Sequence, residues 1–162
     1  AKLRDFDVSV VAYDPYVPAY RMADFGVEQV GFEDLLADSS IVSIHAPLTD
    51  ETRGMFDAEA FDVMREDAVL VNTARGPIVE EDALVDALDS GAIDAAGLDV
   101  REDEPPGESP LHGREDVVLT PHVAWYSEAS RTQLGRTVAD DVDRVLRGEE
   151  PLNRVDPEEG WF

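Results

Sequence analysis

The chain has 162 residues, enough for one domain with a sizeable core and too few for two of full size. Its 37 acidic and 13 basic residues leave a formal charge of −24, a field that repels phosphate and argues against nucleic acid or an anionic membrane as partner. Hydrophobic residues make up 43%, too many for a disordered acidic chain, and the lack of cysteine excludes disulfides, thiolate catalysis and Cys-based zinc sites.

Strands alternate with helices along the chain. Residues 1–7 (AKLRDFD) read as the end of a helix running uncapped into a strand. A domain that opens in mid-helix looks like a piece of something longer; the other reading is a short native helix. The β-branched run at 8–13 (VSVVAY) predicts a strand ended by Asp14-Pro15. A short helix is expected at 32–36, and a second buried strand at 41–45 (IVSIH) stops at Ala46-Pro47. A helix at 57–64 precedes a third strand at 68–71 (AVLV). Residues 80–90 carry apolar side chains at helical spacing, with Gly91 as C-cap. Short strands follow at 95–100 and 117–119, then a long amphipathic helix at 127–147 before Gly148. This alternation predicts an α/β fold with a parallel sheet covered on both faces. Residues 149–162 are Pro- and Glu-rich without periodicity, so an irregular tail is expected. No apolar run approaches the roughly 18 residues of a membrane span.

One lysine, Lys2, stands against twelve arginines, and Asp outnumbers Glu. Such a surface suits a protein that must stay hydrated in very high salt, where the Debye length falls to roughly 3 Å and self-repulsion is screened. The charge is read as a halophilic adaptation to solvent; an acidic face for a basic partner is the lesser reading.

The chemistry-bearing residues sit at strand ends. Asp14 closes the first strand, where a dinucleotide-binding βαβ unit places an acid for the ribose hydroxyls, about 20 residues after its glycine loop. No such loop lies in these residues, and a strand ending in Asp-Pro is also an ordinary turn. The segment Val71-Asn72-Thr73-Ala74-Arg75-Gly76-Pro77 is sharper. It brings Arg75 out at the carboxyl edge of the sheet, where a guanidinium matches a carboxylate bidentately. Glu102 and Glu104 follow the next strand, and Thr120-Pro121-His122 ends the last. A carboxylate beside a histidine stabilises the cationic ring and suits it to proton donation near neutral pH. Singly, each of these residues reads equally well as structural. Together they put an Arg, a carboxylate and a His at one edge.

Five motifs in order, Tyr13-Asp14-Pro15, His45-Ala46-Pro47-Leu48-Thr49, 71–76, 97–105 and Pro121-His122, resemble the NAD-binding domain of the D-isomer-specific 2-hydroxyacid dehydrogenases. That family includes phosphoglycerate dehydrogenase, glyoxylate/hydroxypyruvate reductase, D-lactate dehydrogenase and the C-terminal-binding-protein corepressors. The resemblance implies a Rossmann-type, doubly wound parallel sheet, here lacking its first strand and glycine loop. Residues 1–148 would be a partial NAD-binding domain and 149–162 a tail, with the substrate-binding lobe absent. On its own such a fragment is expected to bind NAD weakly and to turn over nothing.

The resemblance also implies roles. Arg75 would bind the substrate carboxylate and polarise its carbonyl, His122 would be the acid–base catalyst, and Glu104 its partner, with Glu102 the rival. Asp14 would bind the adenosine ribose, favouring NAD over NADP. Ala46 and Thr52 would line the adenine and ribose side. Thr73, Ala74 and Arg75 would lie near the nicotinamide with His122 and Ala124, while Asp99 would accept from its carboxamide. Trp125 would stand beside the nicotinamide, wall the substrate pocket, or simply pack at a helix start. No metal site is expected. A small 2-hydroxy or 2-oxo acid is the implied substrate, the acidity favouring an unphosphorylated one. A homodimer through this domain and a cytoplasmic location are expected with the family. The alternative function is a non-catalytic NAD-sensing or interaction module of the corepressor type.

Overall fold

The computed structural model describes residues 6–155. Of the helix expected at 1–7 only Phe6 and Asp7 are described, and they form a short turn; residues 1–5 of that helix and residues 156–162 of the tail lie outside the described residues. The strand expected at 8–13 shrinks to β1, Val11–Ala12, because its one partner is the two-residue β2, Glu28–Gln29, paired with it in parallel. Between them the five-residue helix α1, Ala19–Ala23, follows Pro18. Neither α1 nor β2 carries an apolar period long enough to read from sequence.

Four further strands form one parallel sheet in the order of the chain: β3 (Ile41–Ile44), β4 (Val69–Asn72), β5 (Ala95–Leu98) and β6 (Val117–Leu119). Helix α2, Phe32–Asp38, leads into β3. Helix α3, Ala58–Val63, is capped by the Asp57 carboxylate accepting from the Ala60 N–H at 2.9 Å, and connects β3 to β4. Helix α4, Glu81–Ser90, connects β4 to β5 and ends on Gly91 at φ 74°, the left-handed conformation a glycine adopts without strain.

The register aligns Val42, Leu70, Ala96 and Val117 across the sheet, and likewise Ile44, Asn72, Leu98 and Leu119. These two rows face the core, where Leu36 of α2, Phe61 of α3 and Leu84 of α4 pack on them. The opposite rows stay half-open: Ile41 is 67% exposed and Val118 66%. Within this four-strand sheet the connecting helices α3 and α4 cover one face. The reason is topological. Strands laid down in one direction with right-handed crossovers place every connecting helix on the same side. The two sheets meet through aromatic contacts, Tyr13 with Phe32 at 5.5 Å between ring centroids and Phe32 edge-on to Phe56 at 5.6 Å.

Helix α5, Glu128–Leu146, begins at Ser127, whose hydroxyl accepts from the Ser130 N–H at 3.0 Å. None of its residues is buried, and Leu134, Val138 and Val142 lie on its exposed surface. The tail after Gly148 is irregular as far as described and returns to α5, where the Asp141 carboxylate accepts from the Leu152 and Asn153 N–H groups.

Phe61 is 1% exposed beneath the sheet. Phe61→Ala is expected to lower the unfolding free energy by about 3–5 kcal/mol. The check is a fall in urea midpoint at unchanged denaturant slope.

Candidate active site

At the carboxyl end of β4, Asn72 is buried and spends its amide on the turn that follows. Its Nδ2 donates to the Arg75 carbonyl at 2.9 Å, and its Oδ1 accepts from the Ala74 N–H at 3.0 Å. The turn leaves Thr73 exposed and delivers Arg75 in an extended conformation with its guanidinium at the surface. That guanidinium donates to the Ala74 carbonyl at 2.7 Å and, among the described residues, pairs with no carboxylate. The next residue, Gly76, is buried, and a Cβ there would stand 1.7 Å from the Arg101 carbonyl oxygen. Only glycine lets this turn lie against the exit of β5.

At that exit Asp99 is buried, and its carboxylate is filled by the loop after β6. Oδ1 accepts from Thr120 Oγ1 at 2.6 Å and from the Val123 N–H at 2.8 Å, while Oδ2 accepts from the Ala124 N–H at 2.8 Å. The Asp99 carbonyl also accepts from the His122 N–H at 2.8 Å. Held on both sides, His122 adopts φ 54°, a left-handed conformation that costs a non-glycine residue on the order of 1 kcal/mol. Burial opposes ionisation of Asp99, but the Thr120 hydroxyl and the Ala124 and Val123 amides outweigh it and hold the carboxyl below its ordinary value.

The His122 ring meets Glu104, Nδ1 to Oε2, at 2.8 Å, and Glu104 Oε1 accepts from the Arg101 N–H at 3.0 Å. Burial again opposes charge on Glu104, and the bonds from His122 and the Arg101 amide overcome it, lowering its pKa. An ionised carboxylate only accepts, so His122 Nδ1 carries the hydrogen. Glu102, the rival acid, points elsewhere and accepts from the Glu81 N–H at 3.0 Å. Arg75, Glu104 and His122 line one cavity of about 150 Å³, with Gly76, Val100 and Arg101 among its walls.

The remaining predicted residues lie outside that cavity. Asp14, half-buried past β1, accepts from the Tyr16 N–H through Oδ1 at 2.9 Å, which leaves Oδ2 without a donor among the described residues. Ala46 follows β3, and Thr52 is committed to its own turn, donating to the Pro47 carbonyl at 2.6 Å. Thr73 and Ala74 precede Arg75 in the β4 turn. Ala124 and Trp125 follow His122, with Trp125 Nε1 donating to the His122 carbonyl at 3.1 Å and its ring half exposed. Sequence reading missed Asn72, Gly76, Glu81 and Arg101. A strand-terminal Asn was the one available signal, whereas an Arg and a Glu twenty positions apart read as surface charge.

The family model described as D-isomer specific 2-hydroxyacid dehydrogenase, NAD binding domain, matches residues 1–124. The chain belongs to this family. This NAD-binding domain is 43% identical to D-3-phosphoglycerate dehydrogenase of Mycobacterium leprae over 149 residues, 92% of this chain and 28% of that relative. It is 42% identical to glyoxylate reductase of Korarchaeum cryptofilum over 162 residues, covering 97% of this chain and 48% of the other. Among solved structures, a D-lactate dehydrogenase from Treponema pallidum superposes with a TM-score of 0.86 at 30% identity, covering 96% of this chain and 50% of that one. The domain thus spans half or less of the length of these relatives. Its donor set fits the cofactor of the family. The free Oδ2 of Asp14 is an acceptor suited to a ribose hydroxyl, at the carboxyl end of a parallel strand where nucleotides bind.

Asp99 gives a pH prediction. Its folded-state pKa lies below the unfolded value of about 4, so it stabilises the fold above that pH, and the contribution is lost as pH falls through the folded value. Asp99→Asn is expected to lower the urea midpoint at pH 7 and to flatten its decline below about pH 4. A decline as steep as in the parent would refute the assignment.

Proposed function

We propose that this domain is the NAD-binding part of an oxidoreductase acting on the CH–OH group of a small D-2-hydroxy acid, reducing the corresponding 2-oxo acid in reverse. The observation that supports it is the cavity shared by Arg75, Glu104 and His122, with the imidazole bonded to the acid. At about 150 Å³ it holds the volume of roughly five waters, a size for a small acid.

The residues divide the work by their chemistry. Arg75 offers parallel N–H groups to the substrate carboxylate, and its charge polarises the adjoining carbonyl. With Nδ1 committed to Glu104, His122 donates a proton from Nε2 to the carbonyl oxygen in reduction and accepts one from the hydroxyl in oxidation. Glu104, kept ionised, orients the ring and stabilises the imidazolium. NAD, when bound, supplies hydride-transfer chemistry at C2 of the substrate.

Toward that cofactor, Asp14 would accept from the ribose hydroxyls, and its charge would disfavour the extra phosphate of NADP. Ala46 and Thr52 would line the adenine and ribose side. Thr73, Ala74 and Arg75, with His122, Ala124 and Trp125, would hold the nicotinamide side. Asp99 would accept from the carboxamide at the position its three loop bonds leave free. Having all three catalytic groups in one cavity favours catalysis over a purely sensing role. We extend the reading to a cytoplasmic homodimer joined through this domain, with the −24 charge an adaptation to high salt.

In the complete polypeptide, NADH oxidation is expected with glyoxylate, hydroxypyruvate or phosphohydroxypyruvate, and no turnover of any small 2-oxo acid would remove the reading. His122→Asn should lower kcat about 100- to 10,000-fold. Arg75→Ala should raise KM for the 2-oxo acid and lower kcat together. Glu104→Gln should lower kcat with KM for the 2-oxo acid little changed, since the ring loses the carboxylate that orients it. For the salt reading, the melting temperature should climb as KCl rises from about 0.1 M to above 1 M, where the Debye length drops from about 10 Å to 3 Å. A flat or falling response would return the charge to the basic-partner reading.

A further inference from the structure

The loop between β5 and β6 carries Glu104, yet residues 99–116 contain neither helix nor strand. Arg101 holds this segment in place. Its side chain is 7% exposed, and it forms a bidentate pair with Glu81 in the first turn of α4: Nε to Oε1 and Nη2 to Oε2, each at 2.7 Å. Nη2 also donates to Ser109 Oγ at 3.0 Å, further along the same loop. Glu81 Oε1 accepts in addition from the Glu102 N–H at 2.8 Å, and the Glu102 carboxylate returns a bond to the Glu81 N–H at 3.0 Å. The carboxylate of Glu81 is held below its ordinary pKa, with burial opposing and Arg101 and the Glu102 amide prevailing, so the pair is ionic.

The main chain of Arg101 then faces both halves of the catalytic cavity. Its N–H fixes Glu104 Oε1 at 3.0 Å, while Glu104 Oε2 bonds His122 at 2.8 Å. Its carbonyl lies where a Cβ on Gly76 would come within 1.7 Å, directly behind the Arg75 turn. One residue therefore sets the distance between the substrate-binding guanidinium and the acid–base pair. Its own position is fixed by a carboxylate on another element.

We infer that the buried Arg101–Glu81 pair is a positioning latch for the reaction: it aims the Arg101 amide at Glu104, which in turn fixes the proton on His122 Nδ1. Glu81 lies outside the cavity, and Arg101 acts there by positioning Glu104 through its main-chain N–H. The role in turnover rests on the dehydrogenase reading, whereas the control of the His122 tautomer does not.

The test separates the two. Glu81→Gln/Arg101→Met removes both charges at similar volume, a replacement that buried pairs tolerate without loss of folding. Ring-nitrogen NMR of His122 is recorded on the parent and the double variant at about pH 9, where a histidine is neutral. The parent is expected to show Nδ1–H; the variant, with its cooperative melt intact, should shift toward Nε2–H. In the complete enzyme the same variant should lose about 10- to 100-fold in kcat, with an altered pH profile and KM for NADH unchanged, as displacement of a catalytic group predicts. Arg101→Lys, which keeps the charge without the fork, should fall between. A folded double variant with the parent's tautomer overturns the latch. A shifted tautomer in a polypeptide whose parent form turns over no 2-oxo acid upholds the latch and overturns the dehydrogenase reading instead.

Discussion

In-register parallel pairing of β3 through β6 is the constraint from which the site follows. Parallel strands all exit at one edge, so Ala46, the Arg75 turn, Asp99 and His122 emerge side by side although they are spread over 77 positions of the chain, from 46 to 122. No helix or loop has to reach across the molecule. The crossovers that make this geometry possible also fix its asymmetry. They stack α3 and α4 on one face and leave Ile41 and Val118 on the other open to solvent.

Charge is distributed at that edge with economy. The two acids that approach His122 are each ionised at the expense of neutral donors, amides and a hydroxyl, and of the ring itself. The chain has a single lysine, Lys2, and several surface arginines are occupied: Arg114 spans Asp116 and Asp89, and Arg65 pairs with Asp67. Such exposed pairs add little stability, but they consume cations. Against that background Arg75 is set apart by its place, a guanidinium that pairs with no carboxylate among the described residues, at the wall of the cavity that Glu104 and His122 also line. Its attraction for an anion is local, since the field of the whole chain repels negative ligands.

Most of the framework could be read from the sequence because its signals are strong ones. Apolar runs ended by Pro or Asn gave β3 and β4, and Leu84, Ala87 and Leu88 before Gly91 gave α4 to within a residue. The elements around β1 were illegible for the opposite reason: two-residue strands carry no period, and Gln29 holds its segment through side-chain bonds to the Asp14 and Val17 carbonyls. Of the residues that line the cavity, Arg75 and His122 could be picked out because each follows an apolar strand by three residues, and Glu104 because it directly precedes a proline. Arg101 and Glu81 could not. Twenty residues separate them, both belong to the commonest surface classes, and only the fold shows that their side chains are nearly buried.

Rigidity at the site comes from backbone held in unusual places. His122 adopts a left-handed conformation that the bonds around Asp99 over-determine, and Gly76 admits a carbonyl where any side chain would collide. Strain of this kind persists only when several independent contacts oppose relaxation. Here Asp99 opposes it from β5, Asn72 fixes the turn from β4, and Arg101 fastens the intervening loop to α4. His122 and Glu104 can therefore stay more than a third exposed, open to a reactant, without losing their 2.8 Å bond to solvent competition. Accessibility and order, which usually oppose one another on a loop, are reconciled because the fixing is done by the residues beneath.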